Sequence, residues 1–273
     1  MAITITFASI KGGCSKTTTT INLAAALAEK GYKCLVVDFD PQANASMALG
    51  IAVEELDNTI ANVLMPLRGV KSQLPIERVI LKTNFNNLHI APAGLYLSLA
   101  QMYLANEVGR ESLLRKEIGK PNIQADYDFI LIDTAPSVGL LLLNAFGASD
   151  YVIGCSTCER FSIKGIDLML EQYNEIRDKG INKDLVFLGV MASKSNNTNH
   201  AKESFNTLKN NYKILGCTKT STKANDATSE GSPVVYTSKN NPVSQEYKRV
   251  ADYLISEYEQ GNLMSRYDRA GVI

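Results

Sequence analysis

A short segment near the start of the sequence has the residues needed to hold a chain of phosphates. It reads Lys11-Gly12-Gly13-Cys14-Ser15-Lys16-Thr17-Thr18 and joins a strand-like run to a helical one. Glycine lets backbone N–H groups approach phosphate oxygens, and the amino terminus of a helix adds positive potential. Lys16 is placed to reach the β- and γ-phosphates of a nucleotide, and the Thr17 hydroxyl to coordinate Mg²⁺. These eight residues are the predicted nucleotide-binding loop.

Two aspartates follow apolar runs that read as buried strands. Asp40 lies in the segment 38–44 (DFDPQAN), and Asp133 follows the run 129–132 (FILI). A carboxylate at the carboxyl end of a parallel strand faces the ligand crevice of an α/β sheet. Both carboxylates are therefore expected to face the crevice in which the phosphates lie. For Asp40, an Asx turn that ends the strand is the plain alternative.

Alternating strand-like and helical runs must position these residues. Apolar runs predict strands over 3–8, 33–37, 87–91, 129–132, 151–155 and 185–191. Helical patterns cover 17–30, 95–106, 138–146, 163–178, 201–211 and 243–260, and Gly261 is a plausible helix stop. This order predicts an α/β fold with a doubly wound, mostly parallel sheet flanked by helices, as in P-loop NTPases. Segment 57–86, interrupted by prolines, is predicted as helices on the flank of the sheet.

Composition and charge exclude several classes of protein. With 45% hydrophobic and 21% charged residues, the 273-residue chain is neither disordered nor fibrous. Lys and Arg total 28 against 28 Asp and Glu, so a polyanion must be met by a local patch. No signal peptide or spanning segment is evident, and five irregularly spaced cysteines suit a reducing compartment, so we expect a cytoplasmic protein. We expect one domain over 1–273 and no amino-terminal DNA-reading domain.

These motifs together resemble the deviant Walker A ATPases of the ParA and MinD superfamily, whose loop pattern is K-G-G-x-G-K-[ST]. The general Walker A pattern needs glycine at the positions of Ile10 and Ser15, and Ser15 also departs from the superfamily pattern. The resemblance implies ATP and Mg²⁺ as cofactors, with Mg²⁺ held by Thr17, Asp40 and, through water, Asp133. It implies that Lys11 reaches the phosphates of a partner subunit in an ATP-bound dimer, and that Asp40 orients the attacking water.

Within the superfamily, the sequence is more similar to the ParA group than to MinD. Pro41 and Gln42 after Asp40 favour that group, and Glu159 and Gly165 match a further family segment, although the usual proline is missing at Cys155. The resemblance implies a slow, partner-stimulated ATP hydrolase that binds nonspecific double-stranded DNA as a homodimer. It would drive plasmid or chromosome partition with a ParB-like centromere-binding activator, on the nucleoid.

Charge placement gives modest support for DNA binding. Residues 186–249 carry nine Lys and Arg against four Asp and Glu, a local balance of +5. The candidate DNA contacts are Lys219, Lys223, Lys248 and Arg249. A solvated helix face with scattered lysines is the alternative. Lys223 falls where ParA relatives place a DNA-contacting arginine, whereas the segment 195–200 lacks the arginine that relatives carry there.

Two further functions remain open at this point. Cys155 and Cys158 form a C-x-x-C, which is compatible with an iron–sulfur carrier ATPase of the Mrp type. A MinD-like membrane-associated or cargo-positioning ATPase is the other alternative, and it requires a carboxyl-terminal amphipathic helix. The tail 263–269 has a small apolar face and contains Asp268. No stable membrane association is therefore expected.

Overall fold

The computed structural model describes residues 1–66, 73–159, 162–195 and 198–269. Their centre is an eight-stranded sheet in the order β3-β4-β2-β5-β1-β6-β7-β8. The strands are β1 Ile3–Ala8, β2 Cys34–Phe39, β3 Leu81–Lys82, β4 Leu88–Ala91, β5 Phe129–Thr134, β6 Tyr151–Thr157, β7 Val186–Ser195 and β8 Ile214–Lys219. All neighbouring strands are parallel except β3 and β4, so the prediction of a mostly parallel sheet is confirmed.

Helices lie on both faces of this sheet, as a parallel sheet requires. They are α1 Lys16–Glu29, α2 Asn44–Ala48, α3 Ile60–Leu64, α4 Leu97–Leu104, α5 Leu113–Ile118, α6 Pro121–Asp126, α7 Leu140–Ala148, α8 Ser162–Asp178, α9 Asn199–Asn211, α10 Thr222–Ser229, α11 Val234–Thr237, α12 Pro242–Glu259 and α13 Arg266–Arg269. Two short 3₁₀ helices cover Val53–Glu55 and Ile76–Arg78.

The central strands are apolar throughout because both of their faces are covered. In β5, Phe129 and Leu131 belong to the core cluster that includes α1 and α12, whereas Ile130 and Ile132 face the cluster that includes α3, α4 and α7. Successive side chains of a strand point to opposite faces, so this alternation follows from strand geometry. The continuous apolar run is thus the signature of a strand buried on both sides.

The sequence-based prediction missed two strands. β8 is an edge strand that mixes Gly216, Thr218 and Lys219 with its apolar residues, so it lacks a continuous hydrophobic run. β3 has only two residues and pairs antiparallel with β4 at the opposite edge. The prediction of helices over 57–86 was therefore only partly right, because this segment contains α3, a 3₁₀ helix and β3. Residues 67–72 of it lie outside the described residues.

The segment after α12 is tied to the core by a buried arginine. The Arg266 guanidinium donates to the carbonyl oxygens of Gly147 and Ser149, each at 2.8 Å, and lies 3.8 Å from the carboxylate of Asp150. The Arg266 backbone N–H also donates to Asp150, at 2.6 Å. Nearby, the amino group of Met1 lies 3.3 Å from the Asp268 carboxylate. Arg266 is only 6% exposed, so it holds this segment against the sheet.

Replacing this arginine should destabilise the fold. The Arg266→Ala change removes the guanidinium beside the buried Asp150 carboxylate and takes one donor from each of two carbonyl groups. The Ser149 carbonyl keeps its hydrogen bond from Asn182, whereas the Gly147 carbonyl loses the donor described above. Such losses cost about 3 kcal/mol or more in buried sites. Urea unfolding should show this loss, while Lys209→Ala on the exposed face of α9 should change the unfolding free energy by less than about 0.5 kcal/mol. Equal values for the two variants would contradict the anchoring role.

Candidate functional site

The predicted phosphate loop leads directly from β1 into α1, as the sequence indicated. Gly13 has φ +73° and Ser15 has φ +60°, so both adopt the left-handed conformation. The Ser15 side chain makes no capping hydrogen bond to α1, and the first turn of α1 contains no acidic residue. The helix amino terminus is thus neither capped by Ser15 nor neutralised by its own first turn, and it can attract an anion.

A cavity of about 550 Å³ opens over this loop. Its lining comprises Gly13, Cys14, Ser15, Lys16, Thr17, Thr18, Asp40, Asn44, Met47, Ala48, Pro136, Lys194, Thr228 and Ser229. The volume lies within the range of about 300 to 1,000 Å³ that is usual for small-molecule sites. The lining therefore brings together Asp40 and residues 13–18 of the loop, whereas Lys11 and Gly12 are not among the described residues that line this cavity.

The loop is joined to the end of β5 by a short hydrogen bond. The Thr17 hydroxyl donates to Asp133 at 2.6 Å, and the Thr20 hydroxyl lies 3.4 Å from the other oxygen of the same carboxylate. Lys16 is 6% exposed and stabilises the charged form of Asp133. Thr17 and Asp133, which the sequence predicted as metal-binding residues, are therefore in direct contact.

A second buried carboxylate lies beside Asp133. Asp38 is the register neighbour of Asp133 on β2, and both are fully buried. Burial, and then the charge of Asp38, raises the pKa of Asp133 to about 8. Burial likewise raises the pKa of Asp38 to about 6, although Asp38 accepts hydrogen bonds from both the backbone and the hydroxyl of Ser46. Two carboxylates crowded in this way favour a nearby cation.

Asp40 lies two residues beyond Asp38, at the wall of the cavity. Its carboxylate accepts a hydrogen bond from the Gln42 backbone at 3.0 Å, so the Asx turn considered above is present. The turn occupies one carboxylate oxygen, while the residue also lines the cavity. The two interpretations of Asp40 are therefore compatible, because the turn fixes the side chain at the place where the phosphates are expected.

Lys11 is held on the outside of the loop. Its ammonium group lies 2.5 Å from the Glu159 carboxylate, and the side chains of Lys11 and Glu159 are 33% and 59% exposed. This ion pair lowers the pKa of Glu159. Helix α8 comes close at Gly165, where an added Cβ would lie 3.3 Å from the Lys11 Cβ. Of the two residues that matched a family segment, Glu159 thus pairs with Lys11 and Gly165 lies beside it.

The four candidate DNA contacts divide into two pairs. Lys219, at the end of β8, and Lys223, in α10, are exposed. Lys248 forms an ion pair with Glu29 at 2.6 Å, and its side chain is 19% exposed. Arg249 pairs with Glu246 at 2.8 Å within α12. Lys219 and Lys223 are therefore more available to an external polyanion than Lys248 and Arg249.

The cysteines of the C-x-x-C do not act as a pair. Cys155 is buried in β6, whereas the Cys158 thiol hydrogen-bonds with Cys217 of β8. This hydrogen bond lowers the pKa of Cys217 to about 7 and raises that of Cys158. Within the described residues, no group of three or more His, Cys, Asp or Glu side chains could hold a metal ion. The Cys158–Cys217 contact could not be predicted from the sequence, because it joins two segments that are far apart along the chain.

The tail that a membrane-binding helix would use is folded onto the protein. Leu263, Ser265 and Arg266 are 3%, 0% and 6% exposed. Among the helices in the described part of the chain, none has the length and apolar character needed to cross a bilayer.

Comparison with known proteins identifies the family. The family described as "AAA domain" matches residues 2–187. An uncharacterized protein of Methanocaldococcus jannaschii is 36% identical over 93% of this chain and 98% of its own. The chromosome-partitioning ATPase Soj of Treponema pallidum is 38% identical over 70% of each chain. An uncharacterized Mycobacterium tuberculosis protein is 40% identical, but the match spans 55% of its length. The chain belongs to the ParA/MinD family of P-loop ATPases.

Solved structures agree with this membership. Cobyrinic acid a,c-diamide synthase from Mycobacterium smegmatis, with an ATP analogue and magnesium, has a TM-score of 0.80 at 25% identity over 97% of this chain and 98% of its own. A putative plasmid partition protein of Borrelia burgdorferi bound to AMPPNP has a TM-score of 0.76 at 26% identity, over 94% and 100%. This ParA/MinD-family protein is an ATP hydrolase with ATP and Mg²⁺ as its cofactors.

The geometry of this ParA/MinD-family site fits both cofactors. The uncapped amino terminus of α1 and the buried Lys16 supply positive potential for phosphates. The crowded carboxylates of Asp38 and Asp133, with the Thr17 hydroxyl beside them, supply the oxygen ligands that Mg²⁺ prefers. Sequence reasoning did not assign Asp38 a role, although it is part of the same motif as Asp40. It also missed Lys194, which lines the cavity. The only sequence feature that could have indicated this residue is its position as a basic side chain near the end of a predicted strand.

The left-handed Ser15 can be tested by substitution. This conformation costs a non-glycine residue about 1–2 kcal/mol, whereas glycine loses about 0.5–1 kcal/mol more backbone entropy on folding. Ser15→Gly should therefore raise the unfolding free energy by up to about 1 kcal/mol and leave ATP affinity within about twofold. Urea unfolding and calorimetric titration measure both. Ser15→Ala is the matched control, since it removes the hydroxyl but keeps the strained backbone; a loss of affinity in both variants would assign the hydroxyl a binding role.

Proposed function

We propose that this protein is a ParA-type partition ATPase, which dimerises on ATP and binds nonspecific DNA. The observation that carries the proposal is the position of Lys11. Lys16 lines the cavity, whereas Lys11 is absent from the lining found among the described residues and stands at its rim, paired with the exposed Glu159. A lysine at the rim is suited to the phosphates of a second molecule rather than its own. The similarity to the chromosome-partitioning ATPase Soj supports the same function.

Each subunit supplies most of its own phosphate site. Lys16 and the backbone of the loop would bind the β- and γ-phosphates, and Thr17 and Asp133 would hold Mg²⁺, with Asp133 acting through a water molecule. Bound Mg²⁺ neutralises charge on the transferring phosphate. Asp40, fixed by its Asx turn, orients the attacking water and helps to organise the metal site. Positioning is the main contribution of the protein to phosphoryl transfer, so a slow intrinsic rate is expected.

Lys11 completes the site of the partner subunit by leaving the Glu159 carboxylate and pairing with the triphosphate bound to that subunit. Its pair with Glu159 is partly exposed, and such pairs contribute about 0–1 kcal/mol. A triphosphate carries several negative charges in a cavity from which the dimer excludes water, so its attraction for an ammonium group is stronger. The exchange therefore favours the ATP-bound dimer. Until a partner subunit binds, the weak ion pair with Glu159 holds the Lys11 side chain in place.

DNA binding follows from the basic residues at the carboxyl end of β8 and in α10. Lys219 and Lys223 are exposed, and a dimer would present two copies of them. Lys248 and Arg249 are engaged in ion pairs, so they contribute less directly. On this proposal, hydrolysis separates the subunits and releases DNA, and a ParB-like centromere-binding partner stimulates that step. The cargo is a plasmid or chromosome, and the protein acts in the cytoplasm on the nucleoid.

The role of Lys11 predicts a separation of binding from dimerisation. Lys11→Ala should retain ATP affinity within about tenfold but remain monomeric with ATP, because Lys16 and the loop still bind the nucleotide while the contact across the interface is lost. Lys16→Ala should lose ATP binding itself. Calorimetric titration and light-scattering mass measurements with and without Mg-ATP distinguish the two. Glu159→Gln is the complementary variant: it removes the carboxylate charge that pairs with Lys11 and should strengthen dimerisation. A Lys11→Ala protein that dimerised normally would refute the assignment.

The DNA-binding role predicts a nucleotide-gated, salt-sensitive signal. Fluorescence anisotropy with a mixed-sequence duplex should show binding with Mg-ATP and little with ADP, and Asp40→Ala should prolong the ATP-bound state. Lys219→Ala and Lys223→Ala should each reduce the slope of log K against log salt by about 1 per lost phosphate contact. Lys209→Ala is the control for surface charge. Dimerisation without DNA binding would leave the nucleotide site intact and rule out this partition mechanism.

A further inference from the structure

Strand β7 contains one residue more than its neighbour near the nucleotide cavity. Ala192 pairs with Cys217 of β8, and Ser195 pairs with Lys219, so three steps along β7 match two along β8. This irregularity is a β-bulge, a feature that redirects a side chain and is enriched beside active sites. The bulged segment contains Lys194, which has φ +55°. Left-handed backbone is unfavourable for lysine and points to a constraint from its surroundings.

The bulge brings Lys194 to the phosphate loop. Lys194 lines the nucleotide cavity, and a Cβ built on Gly13 would lie 3.9 Å from its ammonium nitrogen. It also lines a small adjoining cavity of about 50 Å³ with Ser15 and Thr18 of the same loop. The ammonium group therefore stands over the part of the loop whose backbone N–H groups are expected to hold phosphates.

The charge of Lys194 is available to a ligand. The residue is exposed, and the described part of the chain contains no ion pair that involves it. Its field reaches the carboxylate of Glu159, whose principal partner is Lys11. The rim of the loop thus carries two lysines, of which Lys11 is paired with Glu159 and Lys194 is directed at the cavity.

We propose that Lys194 is a nucleotide-binding residue that contacts the polyphosphate of the nucleotide held by its own subunit. The inference rests on the proposed nucleotide site and adds a residue from β7 to it. Lys16 and Lys194 then hold the phosphates from two sides within one chain. This arrangement leaves Lys11 to act on the partner subunit, since its own phosphates already have two ammonium partners.

The test separates the charge of Lys194 from its backbone conformation. Lys194→Asn removes the charge but suits a left-handed residue, because asparagine tolerates this region better than most residues. Lys194→Arg keeps the charge. Calorimetric titration with Mg-ATP, Mg-ADP and AMP should show about tenfold weaker binding of ATP and ADP to Lys194→Asn. Binding to Lys194→Arg should stay within about threefold of the original protein, and AMP affinity should be unchanged.

Two further variants make each outcome decisive. Lys209→Ala removes an exposed lysine elsewhere and should bind all three nucleotides normally. Lys16→Ala tests the nucleotide site itself. If Lys16→Ala loses ATP binding while Lys194→Asn binds ATP and ADP like Lys209→Ala, the assignment of Lys194 is wrong and the proposed site stands. If Lys16→Ala also binds ATP normally, the proposed site fails.

Discussion

The crowding of Asp38 and Asp133 at the ends of β2 and β5 is the constraint on which this site depends. Two fully buried carboxylates in register on adjacent strands repel each other, and both have raised pKa values. The fold tolerates them because Ser46 and Thr17 donate hydrogen bonds and Lys16 lies close by. The excess of negative charge at these carboxylates attracts a cation, and the neighbouring amino terminus of α1 attracts an anion.

The lysines around the loop differ in burial, and that difference suggests a division of roles. Lys16 is buried under the cavity, whereas Lys11 stands at the rim in a pair with Glu159. An exposed ion pair can be exchanged at little cost, but a buried lysine beside a carboxylate network cannot move without leaving charges uncompensated. The proposed mechanism uses this difference: one lysine belongs to the subunit, and the other is exchanged between its own glutamate and a neighbour.

The sequence predicted the local features well. The loop, the strand before it, the helix after it and the buried run ending at Asp133 each have a continuous pattern that a short window reveals. The contacts that connect distant segments were not predictable in this way. Lys11 and Glu159 are separated by 148 positions, and Thr17 and Asp133 by 116. The edge strand β8 was missed for a related reason, because its glycine and polar residues interrupt the apolar run.

The ion pair between Met1 and Asp268 has a practical consequence for work in cells. It places Met1 beside the last described helix, near the amino-terminal end of the central strand β1. The nucleotide cavity lies at the opposite end of this strand, beyond the carboxyl end of β1. A fluorescent reporter joined ahead of Met1 would therefore lie a full strand length from the loop, so localisation can be followed by microscopy with little interference at the nucleotide cavity.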